Sequence, residues 1–379
     1  MPLSGVGIDL YTPSLPAVTT YFATEASLVK LTLNVYLLGS GLGQLFFGIM
    51  SDHWGRRKLL LSGLLIYIAV TVGIVFSPNI HALLGWRFVQ GIAAGAPAAL
   101  WRSVLADCFG GVALRREVSR MTMMWSIALI IAPALGGYLQ HYFDWQANFW
   151  FLAGYGFLVF LLVYYFIPET IQQRSPFHFP THIKHFMEIL SHPVFLTATI
   201  MIALGYAISL LFSLVAPYLI QDVLRYNAVV YGHMALLVGF SYFIGNLLNT
   251  YLVKHVTLSK ISLVGLIIIS ATTVTAVSLG LFYPMSLSTF IGPITVIFCA
   301  LGLVQPNLLT RCIELFTHIA GMASSLLGSL LIMIAAIFSS SAVFLKANTQ
   351  LPFALAIMVL AFANLILFLW VLRPRFSKD

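Results

Sequence analysis

Twelve apolar runs, most of them about 20 residues long and parted by short polar turns, restrict this chain of 379 residues more than any other feature. The hydrocarbon core of a bilayer is ~30 Å thick and takes ~20 helical residues to cross, and inside it every backbone polar group must be paired within the protein. Runs at about 1–20, 28–50, 58–77, 82–104, 119–140 and 147–167 make a first set of six. The longest polar connection, 168–192, separates them from runs at about 193–220, 228–252, 260–282, 286–309, 319–342 and 352–372. The chain therefore reads as an all-α polytopic membrane protein. Its expected parts are an N-terminal six-helix bundle (1–167), a linker (168–192) and a C-terminal six-helix bundle (193–379). Only 8% of residues are charged and 60% are hydrophobic, which excludes a water-soluble fold. Cys108, Cys299 and Cys312 make no disulfide framework.

The net charge of +8 sits in short clusters between the runs, a positive-inside pattern rather than a nucleic-acid stripe. If each run crosses once, fourteen Lys and Arg residues fall on one side and three, Lys30, Arg225 and Lys346, on the other. Arg87 and Arg102 lie within the fourth run. Both termini and the linker are thereby expected in the cytoplasm. The six-plus-six pattern also predicts a duplication, with a faint echo of Gly48…Asp52 in Gly245…Asn249, 197 residues on.

The densest motif is Gly48-Ile-Met-Ser-Asp52-His-Trp-Gly55-Arg56-Arg57-Lys58, in a connection short enough to demand a tight turn at Gly55. The fourth run carries Arg87-Phe-Val-Gln90-Gly91-Ile-Ala-Ala-Gly95, and the fifth carries Ala132-Pro133-Ala-Leu-Gly136-Gly137. Asp9-Leu-Tyr11-Thr-Pro13-Ser-Leu-Pro16 lies in the first, and His318-Ile-Ala-Gly321-Met-Ala-Ser324-Ser325 opens the eleventh. In this order the motifs resemble those of the major facilitator superfamily, and within it the bicyclomycin-resistance (Bcr/CflA) drug:proton antiporters, from about Pro2 to Pro374. The sequence departs from the superfamily pattern at His53, where a basic residue is usual, at Ala106, and at Ser119, Ala128 and Ala132, where glycine is usual.

Asp9 is the acid well inside the first run, and an ionised carboxylate in hydrocarbon is costly unless paired, so it has either a partner or a hydrated position near a helix end. Desolvation favours the neutral acid and a nearby cation the charged one, so an Asp facing both a cavity and an arginine changes state as the cavity opens. Arg87 is the natural partner, with snorkelling at the outer end of its helix as the alternative. The resemblance implies that Asp9 is a proton-coupling site controlled by Arg87 with Gln90, the side chains of Asp9 and Arg87 meeting directly or through one water. It also implies a cytoplasmic gate of Gly48, Asp52, Gly55, Arg56, Arg57, Asp107 and Gly321. In that gate Arg56 bridges Asp107, and Asp52 faces the start of helix eleven. Pro133, Gly136 and Gly137 correspond to the helix-five antiporter motif.

Tyr11, Asn34, Tyr36, Trp125, Tyr206 and Tyr218 are candidates for a cavity binding flat, partly cationic drugs, although each also suits helix packing. Gly39, Gly41 and Gly43 read as close-packing residues. Arg102, fifteen residues beyond Arg87, is too far along the helix to share its site and is expected to snorkel. His178, His182, His185 and His192 fit an amphipathic linker helix on the membrane surface better than a metal site.

The first run holds only eight residues before Asp9, whereas the resemblance places this acid midway along a span, which predicts that the start of the first helix is missing. No HExxH, Gly-x-Ser-x-Gly or P-loop pattern favours an enzyme. The expected function is proton-coupled efflux of small hydrophobic drugs or antibiotics across the bacterial inner membrane by alternating access. The alternative is a metabolite exporter or importer of the same superfamily. The expected partners are the drug, protons and the lipid bilayer. No cofactor, metal or nucleic acid is expected, and the chain is expected to act as a monomer.

Overall fold

The computed structural model describes residues 3–171, 186–316, 320–341, 345 and 348–372, and within the helices a few side chains, Asp52 and Trp125 among them, are not described. Most of the linker thus lies outside the described residues, including His178, His182 and His185.

The described chain is helical throughout its spans. The first span is divided into α1 (Leu3–Asp9) and α2 (Leu15–Tyr21), joined through a 3₁₀ turn at Thr12–Ser14. The remaining spans are α3 (Ala26–Trp54), α4 (Arg56–Val75), α5 (Ile80–Cys108), α6 (Gly111–Tyr142) and α7 (Trp145–Phe166), then α8 (Pro193–Tyr218), α9 (Ala228–Leu252), α10 (Leu258–Phe282), α11 (Leu287–Glu314), α12 (Ala320–Ser339) and α13 (Gln350–Leu367). Nine of these helices are long and apolar enough to cross a membrane on length and composition alone. The divided first span is not among them, nor are α5 and α6. In α5, Arg87 and Gln90 dilute the hydropathy, and in α6 several residues lie outside those described.

The break in the first span has a local cause. Pro13 has no N–H to give the carbonyl four residues back, and its ring crowds that carbonyl, which belongs to Asp9. The Thr12 hydroxyl takes over, donating to Asp9 O at 2.9 Å. Helix α1 therefore ends on Asp9 instead of carrying it at mid-helix.

Within the first half α5 packs on α3 and α4, and α4 on α7; in the second half α11 packs on α9 and α10, and α10 on α13. The halves join where α3 meets α12 and α6 meets α9. Glycines set these distances. A Cβ on Gly43 would lie 2.2 Å from Ile92 O, and one on Gly95 2.5 Å from Gln44 N. In the second half, one on Gly245 would lie 1.9 Å from Cys299 O and one on Gly302 2.8 Å from Asn246 N. Each half thus brings its second and fourth spans, α3 with α5 and α9 with α11, into backbone contact through glycines on both helices.

Candidate functional site

Arg87 is 0% exposed, the largest described side chain buried so completely, and the alternative reading, snorkelling at the outer end of its helix, is not seen. Its Nη1 donates to Gln90 Oε1 at 2.7 Å and to Gly7 O at 3.2 Å, while Gln90 Nε2 donates to Thr71 Oγ1 at 2.7 Å. The guanidinium lies over the rings of Tyr36, Tyr11 and Phe149, with centroids at 4.3, 5.0 and 5.7 Å. A buried cation is thus held by one amide, one carbonyl and three aromatic faces, each face supplying on the order of 1 kcal/mol. Its Nε and Nη2 have no hydrogen-bond partner among the described residues. In the second half, α11 carries no charged residue before Arg311, and its Ile291, Ile294 and Ile297 are buried. The polar network belongs to one half alone.

Asp9 is half-buried at the end of α1 and its carboxylate makes no hydrogen bond or ion pair among the described residues, so the expected contact with Arg87 is absent in this conformation. The proline break directs the acid elsewhere. Its charge acts on the phenols of Tyr36, Tyr206 and Tyr231, from α3, α8 and α9. Tyr36 touches both environments, its ring under Arg87 and its hydroxyl donating to Ser4 O at 2.8 Å.

The expected cavity residues that are described do not gather in one place. Tyr11 and Tyr36 are completely buried against Arg87. Asn34 bonds Ser339 and Ser340 of the second half, and Tyr218 bonds Thr19 at 2.9 Å and Leu15 O at 3.3 Å, so both serve the seam between the halves. The Trp125 side chain lies outside the described residues. Tyr206, alone of the five described, is half-buried near Asp9; the sequence reading missed half-buried Tyr242 and Gln305, joined by a 3.1 Å hydrogen bond, with Gln305 Nε2 beside Gly205.

At the turn between α3 and α4, Gly55 has φ +94°, which its lack of a Cβ permits. Arg56 forms an ion pair with Asp107, and Nη1 donates to Ser51 Oγ at 3.2 Å. Glu169, just after α7, was not singled out by sequence and is central here. Its carboxylate accepts the backbone N–H of Arg56 at 2.9 Å and of Arg57 at 3.5 Å, capping the positive end of α4, whose own N-cap is glycine. The signal was present as Pro168-Glu169-Thr170 facing a side-chain-less cap, but 113 residues separate the partners. Thr170 Oγ1 also donates to Asp107 at 2.9 Å. Arg57 lies against Tyr164, donating to its carbonyl at 2.7 Å. Gly48 lies close to Ser325 of α12. The expected approach of Asp52 to the helix-eleven start at Gly321 lies outside the described residues. Arg102 is exposed, over the Trp101 ring.

The helix-five motif works by close approach. A Cβ on Gly136 would be 2.0 Å from Leu10 O, and one on Gly137 would be 2.5 Å from Ala228 O. Pro133 O lies 2.8 Å from where a Cβ on Gly232 would stand. One face of α6 therefore touches the first-span break and the other touches α9.

A family model described as the Major Facilitator Superfamily matches residues 3–340. The chain is 28% identical to an uncharacterised MFS-type transporter of Bacillus subtilis, over 100% of this chain and 94% of the relative. It is 27% identical to a bicyclomycin resistance protein homolog of Haemophilus influenzae, over 91% of this chain and 87% of the relative. It is 26% identical to a chloramphenicol resistance protein of Acinetobacter baumannii, over 69% of this chain and 63% of the relative. The crystal structure of a D-xylose-proton symporter matches the fold with TM-score 0.79 at 15% identity, covering 100% of this chain and 97% of the other.

Proposed function

This chain belongs to the Major Facilitator Superfamily and is a multi-pass membrane transporter, not an enzyme, and from that premise we propose that it expels small hydrophobic drugs or antibiotics in exchange for protons. This places it with the bicyclomycin-resistance type, in line with the resistance proteins among its relatives. The observation that carries the reading is the one-sided polar core. Arg87, Gln90 and Thr71 are fully buried and bonded in the first half, a half-buried Asp9 stands nearby, and α11 of the second half carries no charged residue before Arg311.

The first half handles the proton and the second half supplies most of the cargo surface. An ionised Asp9 among phenols is costly without a cation beside it. It therefore holds a proton when the site is closed, and gives it up when water or a cationic drug reaches it. Arg87, fixed by Gln90 and Tyr36, keeps a permanent positive field at the site. Tyr206, Tyr242 and Gln305 present flat rings and an amide to an aromatic, partly cationic drug. The bundles 1–167 and 193–379 rock about this site, and Arg56, Asp107 and Glu169 stabilise one closed state on the basic side, assigned to the cytoplasm of a bacterial inner membrane.

The test is efflux of a labelled drug from proteoliposomes under an imposed pH gradient. Asp9→Asn is expected to abolish pH-driven efflux while the purified protein stays folded. Full gradient-driven efflux by that variant removes the proposal.

A further inference from the structure

Among the described residues, most hydrogen bonds that join the two halves lie in the part of the molecule that holds Lys30, toward the ends opposite Arg56, with Ser329 Oγ donating to Gly41 O at 2.7 Å deeper in the seam. Tyr231 of α9 donates to Thr12 Oγ1 at 3.2 Å, and Gln221, in the π-helical turn Leu219–Val223 after α8, donates to Pro13 O at 2.9 Å. Tyr218 meets Thr19 and Leu15 O, Asn34 meets Ser339, and Lys30 Nζ donates to Leu345 O at 3.1 Å. Two of these partners, Thr12 and Pro13, lie in the turn that breaks the first span immediately after Asp9. Thr12 is shared: the same hydroxyl that receives Tyr231 donates to the Asp9 carbonyl. The turn is otherwise held inside its own half, by Asn148 Nδ2 on Ser14 Oγ at 2.6 Å and by the close approach of Gly136 to Leu10 O.

We infer that the break at Thr12–Ser14 is the mechanical link between the Asp9 site and the closure of the Lys30 end, with Tyr231 and Gln221 of the second half as the positioning residues that hold the link shut. Each donates across the boundary into a backbone segment whose geometry was set by Pro13, so the halves cannot part at this end without releasing that segment. Releasing it frees the Thr12 hydroxyl and the carbonyl that ends α1, and so moves Asp9. The titratable groups around Asp9 are Tyr36 from α3, whose ring lies under Arg87, Tyr206 from α8 and Tyr231 itself, so Tyr231 belongs both to the seal and to the surroundings of the acid. The inference rests on the transporter reading for its purpose but not for its test.

The full chain, with Cys108, Cys299 and Cys312 replaced, carries spin labels at Phe76 and Phe282, exposed at the Lys30 ends of α4 and α10 (70% and 79% exposed), in nanodiscs without drug or gradient. Tyr231→Phe removes one donor and keeps the ring; Gln221→Leu removes the other. Each is expected to raise the ratio of long to short label distances about fivefold, the effect of one net hydrogen bond. The double variant is expected to exceed either single. Tyr283→Phe, exposed at the same end, leaves the ratio unchanged. In drug-efflux assays both seal variants shift the pH profile, which a packing defect alone does not do. Distance distributions for Tyr231→Phe and Gln221→Leu that both superimpose on the parent overturn the inference, whatever the cargo proves to be. Failure of Asp9→Asn to affect efflux overturns the drug:proton reading and leaves the distances standing.

Discussion

Gln90→Leu is the substitution whose cost the structure defines most closely. Gln90 is 0% exposed and makes one bond on each side, to Arg87 Nη1 and to Thr71 Oγ1, each 2.7 Å. Losing a bond to a buried charged donor costs about 1.5–3 kcal/mol. A neutral side-chain bond inside a membrane protein is worth about 0.6 kcal/mol, because the unfolded chain in lipid also finds partners. Thr71→Val removes the neutral bond from Gln90 together with the bond that the Thr71 hydroxyl donates to Tyr67 O in its own helix, and is expected to cost under about 1.5 kcal/mol. Gln90→Leu removes both bonds of Gln90 and is expected to cost roughly 2–3.5 kcal/mol. The guanidinium would then keep only Gly7 O and its aromatic faces, since Nε and Nη2 have no other partner among the described residues. The measurement is equilibrium unfolding in mixed micelles, read by a thiol-reactive dye reaching Cys312, which is 0% exposed, with Cys108 and Cys299 replaced. A Gln90→Leu cost no larger than that of Thr71→Val would refute the view that Gln90 serves chiefly to hold Arg87.

Gly43→Ala and Gly245→Ala are both expected to destabilise strongly, since each Cβ would meet a backbone carbonyl at 2.2 or 1.9 Å, while Gly292→Ala, with nothing within 4 Å, should melt as the parent does; thermal unfolding in detergent checks all three. Gly55→Ala combines strain at φ +94° with a Cβ 2.4 Å from Glu169 Oε2, so it should reduce transport more than Glu169→Gln, which keeps the packing and weakens the cap by about 0.3–1 kcal/mol. Gly136→Ala should separate α6 from the first-span break and lower efflux, read as drug accumulation in cells expressing equal amounts of protein.

Hydropathy alone determined the number and order of the spans, because lipid offers no partner to an exposed peptide group and forces each apolar run into a helix. The turn at Gly55 and the demands made by charges at Arg87 and Asp9 were equally legible, since a positive φ and a charge in hydrocarbon are demands that a residue type declares by itself. Pro13 even predicts, in retrospect, that the helix carrying Asp9 ends on it. Tertiary structure decided which groups answer those demands. Arg87 took Gln90, a carbonyl and tyrosine rings instead of Asp9; the cap of α4 came from Glu169; Tyr218 and Asn34 went to the seam between the halves. Hydropathy is a property of each segment, but a hydrogen bond in a bundle depends on rotation and depth of two helices far apart in sequence. Those are set by where glycines let backbones touch, as at Gly43 and Gly95, and that contact exists only once the helices have packed.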